Sequence, residues 1–343
     1  MRNPTLAVKR ALKTGLGVFA AGCGPQTWPF GAPGLWILMY HRVLPREQAL
    51  AEGEEPGMYV TPQTFARQLD WLGARFTVVR LGEWVERVRS GSPLPRRACA
   101  ITFDDGWRDN YRHALPALRA RGLPATLFAV SDMVGTTRQF WPNRLSRLLD
   151  AHGAALAADS EFAWLHELAA PLPGGLTTAI ADPDSRSALI HRCKALPDDR
   201  LDARLGAAEQ ALGTGNAAPR ALVDWDELRA MVASGLIDVG SHTRNHYRLR
   251  DGLTPQTLRD EIVGSRARLE QELGRPVTLF CYPNGDYTPQ AAALVRKHYA
   301  AAVTTARGIN RGGRDLATLR RIGIHEDMSH TRTRFLARLS GWV

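Results

Sequence analysis

Ala98-Cys99-Ala100-Ile101-Thr102-Phe103-Asp104-Asp105-Gly106 is an apolar run that ends abruptly on two acids and a glycine. Such a run, without polar alternation, is the pattern of a strand buried on both faces. A helical stretch follows, Asn110 to Arg121, stopped at Gly122, and then a second apolar run, Ala125 to Val130. Strand, helix and strand in about thirty residues make a parallel βαβ unit.

The same alternation extends outward in both directions. Upstream, Leu35 to Tyr40 reads as a buried strand, Thr61 as the N-cap of a helix with Pro62 at its first position, Phe76 to Val79 as a strand and Leu81 to Val88 as a helix. Downstream come a helix from Trp225 to Ala233, a strand from Ile237 to Ser241, and a long helix from Thr254 to Leu273. They are followed by a strand from Val277 to Tyr282, a helix from Pro289 to His298, strands from Ala300 to Thr304 and Arg320 to Ile324, and a last helix. This is an α/β pattern with a mostly parallel sheet, as a closed barrel or as an open doubly wound sheet. No GxGxxG follows an early strand, which argues against a dinucleotide fold. Residues 132–222 break the alternation. They are rich in Ala, Leu, Arg and Asp and read as a helical insertion, with helices from Arg144 to Ala151 and Asp199 to Leu212 and loops at Pro171 to Gly175 and Asp182 to Asp184. The expected division is a basic segment at 1–30, a barrel or sheet domain at 31–131 and 223–343, and the insertion.

Composition narrows the function. Of the 343 residues 44% are apolar and 23% charged, which excludes a disordered chain. The four cysteines are too scattered for a disulfide scaffold or a cysteine zinc site, and Cys99 and Cys281 read as buried thiols of a reducing compartment. A net charge of +10 favours anionic surfaces. With no helix-turn-helix, zinc-finger or RNP signature, nucleic acid is not expected as a partner. Arg2, Lys9, Arg10 and Lys13 precede the apolar residues from Leu16 to Ala21, as in a helix lying on an anionic membrane surface. A secretory signal is the rival reading. The expectation is a cytoplasmic protein, peripheral at the inner membrane face.

Three strand-end segments carry chemistry. Adjacent carboxylates at Asp104 and Asp105 repel each other unless a cation or proton relieves them, although Asp-Gly is also an ordinary turn pair. Ser241-His242-Thr243-Arg244-Asn245-His246 places two imidazoles on one face if the chain turns helically there. Two imidazoles and a carboxylate form a set that binds a divalent ion with coordination positions left open, and suits zinc, iron, cobalt, nickel or manganese. Ile322-Gly323-Ile324-His325 ends the last strand, with Arg321, Gly323 and His325 on one face.

These segments, in this order, resemble the hallmarks of the polysaccharide deacetylase family, also called the NodB-homology or chitin deacetylase family. The resemblance spans roughly residues 35 to 325, interrupted by the insertion, and the combination is far more specific than any one motif. It implies a distorted (β/α)7 barrel and metal-dependent N-deacetylation of an amino-sugar glycan, polymeric or lipid-linked. It also implies Asp104 as general base, His325 as general acid, and Asp105, His242 and His246 as ligands of one divalent ion, zinc first. The third family segment often reads Arg-x-Pro-Tyr, its Arg orienting the base. Here Phe280-Cys281-Tyr282-Pro283-Asn284-Gly285 puts Cys281 at the Arg and Asn284 at the Tyr, as in a Tyr-Pro-x-Gly branch. Arg42 or Arg321 is then expected to supply the missing charge. His41, Arg42, Tyr282, Asn284 and Arg321 are candidates for substrate contact or support of the site, and Trp107, Trp141 and Tyr282 for stacking on sugar rings. The alternatives are hydrolysis of a non-sugar amide and a catalytically silent glycan-binding protein.

Overall fold

The computed structural model describes residues 15–28, 32–214 and 219–342. Seven parallel strands carry the fold: β1 Gly34–Tyr40, β2 Arg97–Phe103, β3 Ala125–Ala129, β4 Ile237–Ser241, β5 Leu279–Cys281, β6 Ala301–Arg307 and β7 Leu319–Gly323. Each pairs with the next, and β7 and β2 both pair with β1, so the sheet closes on itself. The architecture is a closed (β/α)7 barrel. The strand expected at Phe76 to Val79 is only a two-residue fringe, Thr77–Val78, on β2.

The strands are apolar on both faces because both are covered. One face carries small side chains such as Ala98, Ala100 and Ala301, which pack with Phe128. Gly240 on β4 is required there, since a Cβ would lie 2.4 Å from the Phe128 ring. Helix Leu81–Arg89 turns Leu81, Trp84 and Val85 into this same cluster. Thr61 caps helix Pro62–Gly73 by accepting from Thr64 N, as its sequence indicates. Phe65 of that helix meets Tyr40 and Phe103 edge-on at ring separations of 5.3 and 5.7 Å.

The chain divides into two compact units. The second comprises Thr136–Ala221 with Asp251–Thr254, so residues 132–135 and Leu222 belong to the barrel unit. The second unit has its own core, including Leu145, Leu149, Phe162, Leu189 and Leu205. Asp182 to Asp184 is not a loop. Asp182 accepts from Ser185 N, Pro183 takes the first helical position, and the pair starts helix Pro183–Cys193. Read as turn formers, these residues are equally good helix starters. Arg2, Lys9, Arg10 and Lys13 lie outside the described residues.

Candidate active site

Strand register places the chemistry. Tyr40 pairs with Phe103, Met39 with Gly323, and Ala129 with Ser241. One residue beyond the first pair come His41 and Asp104; two beyond the second come His41 and His325; one beyond Ser241 comes His242. All four stand at the carboxyl ends of parallel strands, where barrels build their sites.

Asp104 is buried, yet its pKa is held down. Burial pushes it up, and the Arg321 guanidinium, joined by His242 and His41, more than offsets that. Arg321 rises from β7 with no exposed side-chain surface. It grips the carboxylate with both forks, Nη1 to Oδ1 at 2.6 Å and Nη2 to Oδ2 at 2.7 Å. Its Nε donates to the Thr304 carbonyl at 2.9 Å, and Nη2 lies 3.1 Å from Cys281 Sγ. Arg321 therefore meets the carboxylate beside the cysteine that stands at the expected arginine position. Arg42 does not approach Asp104. Its Nε donates to Asp109 Oδ2 at 2.8 Å, its Nη1 to Glu52 and Glu54 at 2.7 and 2.5 Å, and its guanidinium lies 4.3 Å from the centre of the Trp107 ring.

Asp105 adopts a left-handed φ of 74° and Gly106 follows at 84°. The turn expected of Asp-Gly is present, and it swings consecutive carboxylates into different environments. Oδ2 of Asp105 accepts from the Trp107 indole N–H at 2.8 Å. Oδ1 lies 3.4 Å from His242 Nε2 and 3.5 Å from His246 Nε2. His242 Nδ1 is 2.8 Å from the Cys281 carbonyl, so that nitrogen donates; burial lowers the ring's pKa, but Cys281 and the Asp105 and Asp104 carboxylates outweigh it and hold the pKa well above the ordinary value. His246 is pushed down to about 4 by burial and then by its neighbour His242, so it is neutral near pH 7. Ligand atoms of Asp105, His242 and His246 all lie within 4.8 Å of one another. An ionised carboxylate oxygen, a neutral imidazole and a second imidazole that would release its Nε2 proton to a bound cation fit a divalent ion. The other grouping, Asp104, His242 and Cys281, fits poorly: Arg321 already holds that carboxylate, and burial raises the thiol's pKa.

The histidine pair is not helical. Thr243 and His246 both have φ of 65°, in a loop. Glu261 shapes it, accepting from Arg244 N at 3.0 Å, Asn245 N at 2.9 Å and Asn245 Nδ2 at 2.8 Å. No local pattern marks Glu261, which lies 15 residues after His246 in a single π-turn, Asp260–Gly264, of the helical stretch. Asp327, two residues after His325, binds its Nδ1, which leaves Nε2 as the ring's second nitrogen. His41 Nε2 stands 4.0 Å from Asp104 Oδ2.

The remaining candidates fall elsewhere. Tyr282 has no exposed surface and its hydroxyl has no partner; its ring packs on Phe280 and Tyr287. It presents no face to a sugar, and neither does Trp107, which is buried beneath Arg42. Asn284 takes a φ of 57° and donates to Asp286, shaping its own turn. Trp141 packs against the core of the second unit.

The sequence profile described as polysaccharide deacetylase matches residues 91–161 and 202–303. The chain belongs to that family. It is 28% identical over 208 residues to the poly-beta-1,6-N-acetyl-D-glucosamine N-deacetylase of Staphylococcus epidermidis, covering 58% of this chain and 69% of that one. The solved structure of IcaB from Ammonifex degensii aligns at a TM-score of 0.56 and 22% identity, over 90% of this chain and 98% of that one. The Streptococcus pyogenes deacetylase PplD, solved with acetate, aligns at 0.56 and 19% identity, over 88% of this chain and 96% of that one. The two structures share the fold.

Proposed function

We propose that the protein is a metal-dependent N-deacetylase of a glycan built from N-acetylated amino sugars. The observation that carries this reading is the juxtaposition of two carboxylates with opposite surroundings. Asp105 faces two imidazoles, and Asp104 is locked in an arginine fork next to them. The Staphylococcus epidermidis relative, named for a poly-N-acetylglucosamine substrate, supports the glycan class.

Asp105, His242 and His246 would hold the ion, zinc before cobalt, nickel, iron or manganese. When bound, a divalent ion supplies Lewis acidity at the acetyl carbonyl and makes water more acidic. Asp104 stays ionised because Arg321 favours its charged form, so it takes the proton of the attacking water. The water oxygen bonds to the acetyl carbon and the C–N bond breaks. The amine is a poor leaving group unless protonated, and His325 delivers that proton from Nε2. Asp327 at Nδ1 sets the ring's orientation. The products are acetate and a free amino sugar.

The test is acetate release from β-1,6-linked N-acetylglucosamine oligomers, before and after chelation and after zinc is restored. Asp104→Asn is expected to lower kcat by about 10²–10⁴ with its metal affinity retained. Metal-independent release overturns the metal assignment. Absence of release from every N-acetylated glycan, with release from a small amide, moves the chain to the non-sugar reading; no release from either leaves a binding protein.

A further inference from the structure

Residues 15–23 form a helix built inside out. Its inner face is small: Ala20, Ala21 and, just beyond the helix, Gly24 are buried. A Cβ at Gly24 would lie 2.6 Å from that of Ser340, so the helix end is pressed against the end of helix Arg332–Leu339. Its outer face is large and apolar, with Leu16, Val18 and Phe19 all more than half exposed. The segment is closed by its own polar groups. Buried Gln26 donates to the Ala20 and Ala21 carbonyls at 2.7 and 3.2 Å, and Trp28 Nε1 donates to the Cys23 carbonyl at 2.8 Å. A second piece of the chain completes the surface. Trp342 stacks on Phe19 at 6.2 Å and meets Trp28 edge-on at 6.4 Å, and both tryptophans are nearly half exposed.

We propose that this patch docks the protein on an anionic phospholipid bilayer. Charge decides for lipid. Residues 15–28 and 307–314 contain no acid. Ile309 reaches within 4.0 Å of the Cβ position at Gly341, beside Trp342; Arg307, two residues earlier, donates from Nη2 to the Arg338 carbonyl at 3.2 Å, and exposed Arg311 follows two residues later. In sequence, Lys9, Arg10 and Lys13 lead directly into it. Large side chains between a basic border and tryptophans suit the lipid headgroup boundary, where indoles concentrate and lysine and arginine meet anionic lipid. A second copy of the chain is disfavoured, because a self-association would bring two identical arginine borders together in a protein of net charge +10. No helix among the described residues is long and apolar enough to cross a membrane. The association is therefore superficial and salt-sensitive.

The experiment is co-sedimentation of the full chain with vesicles of phosphatidylcholine alone or mixed with phosphatidylglycerol, at low and raised salt. Binding is expected to the mixed vesicles, weakening with salt. Phe19→Ser and Trp342→Ser are each expected to lower partitioning about tenfold, from the apolar area they withhold. Arg311→Glu should weaken binding to the mixed vesicles and flatten its salt dependence. Unchanged melting curves establish that the variants are folded; a variant that melts early is replaced by Leu16→Ser. Failure to bind mixed vesicles at low salt overturns the proposal. So does binding indifferent to these variants, or a dimer by light scattering that the same variants dissolve. The readout does not depend on deacetylase activity, so it stands or falls apart from the catalytic reading.

Discussion

Two arginines lie buried at the same end of the barrel, and their partners differ. Arg321 meets one carboxylate, Asp104, in a two-pronged fork. Arg42 meets three: Asp109, Glu52 and Glu54. With one partner, the arginine's charge keeps the aspartate ionised and orients it. With three, acid is in excess. Burial, with Glu52 adding to it, pushes Asp109 up to about 6 in spite of Arg42. Asp109 also accepts from Val43 N at 2.8 Å, so the Arg42 cluster ties the end of β1 to the turn carrying Trp107. One-to-one pairing holds a carboxylate charged and aimed; a crowded cluster makes a joint.

The comparison breaks first at Arg321. Arg321→Ala is expected to lower kcat/KM by about 10²-fold and to destabilise the fold by about 3–5 kcal/mol, because it strands a buried carboxylate. Arg321→Lys keeps charge but not the fork, and should recover part of the stability and little of the rate. Steady-state kinetics and urea unfolding measure both.

Acid sharpens it. The folded pKa of Asp104 lies below its ordinary 3.8, so the pair's contribution is fully present above that value and is lost as pH falls through the folded pKa. The stability gap between the wild type and Asp104→Asn should therefore be wide at about pH 6 and shrink progressively as the pH falls below 3.8. A gap constant with pH in thermal melts would contradict the pairing.

Trp107→Phe keeps a ring beneath Arg42 and removes the N–H that holds Asp105. Zinc affinity, read by chelator competition, is expected to fall about 10–100-fold. Arg42→Ala has the smallest expected effect on chemistry, less than about tenfold in kcat/KM, with about 3 kcal/mol of stability lost. If it lowered turnover as much as Arg321→Ala, the distinction between aimed carboxylate and joint would fail.

Much of the candidate site was legible because its information is local. Asp104, Asp105, His242, His246 and His325 each follow an apolar strand, and strand ends at one rim of a parallel barrel converge whatever connects them. The conformation of the histidine segment was not legible. Its spacing suited a helix, but positive φ values at Thr243 and His246 make it a loop shaped by Glu261. Propensity cannot show that, since the deciding hydrogen bonds come from 16 and 17 residues away. Tyr282 and Trp107 were legible as aromatics near strand ends, but not as buried ones, because burial depends on what packs over them.

The amino-acid order alone determined the alternating elements, the helical character of the insertion and the set of chemical groups, since apolar periodicity and capping act over a few residues. Only tertiary structure decided that the sheet closes through β1 and β2, that Arg321 rather than Arg42 reaches Asp104, and that one oxygen of Asp105 goes to Trp107 while the other faces two imidazoles. The physical reason is range. A guanidinium and a carboxylate separated by 217 residues meet only when closure of the barrel brings their strands together, and their attraction matters only once burial has removed the water between them.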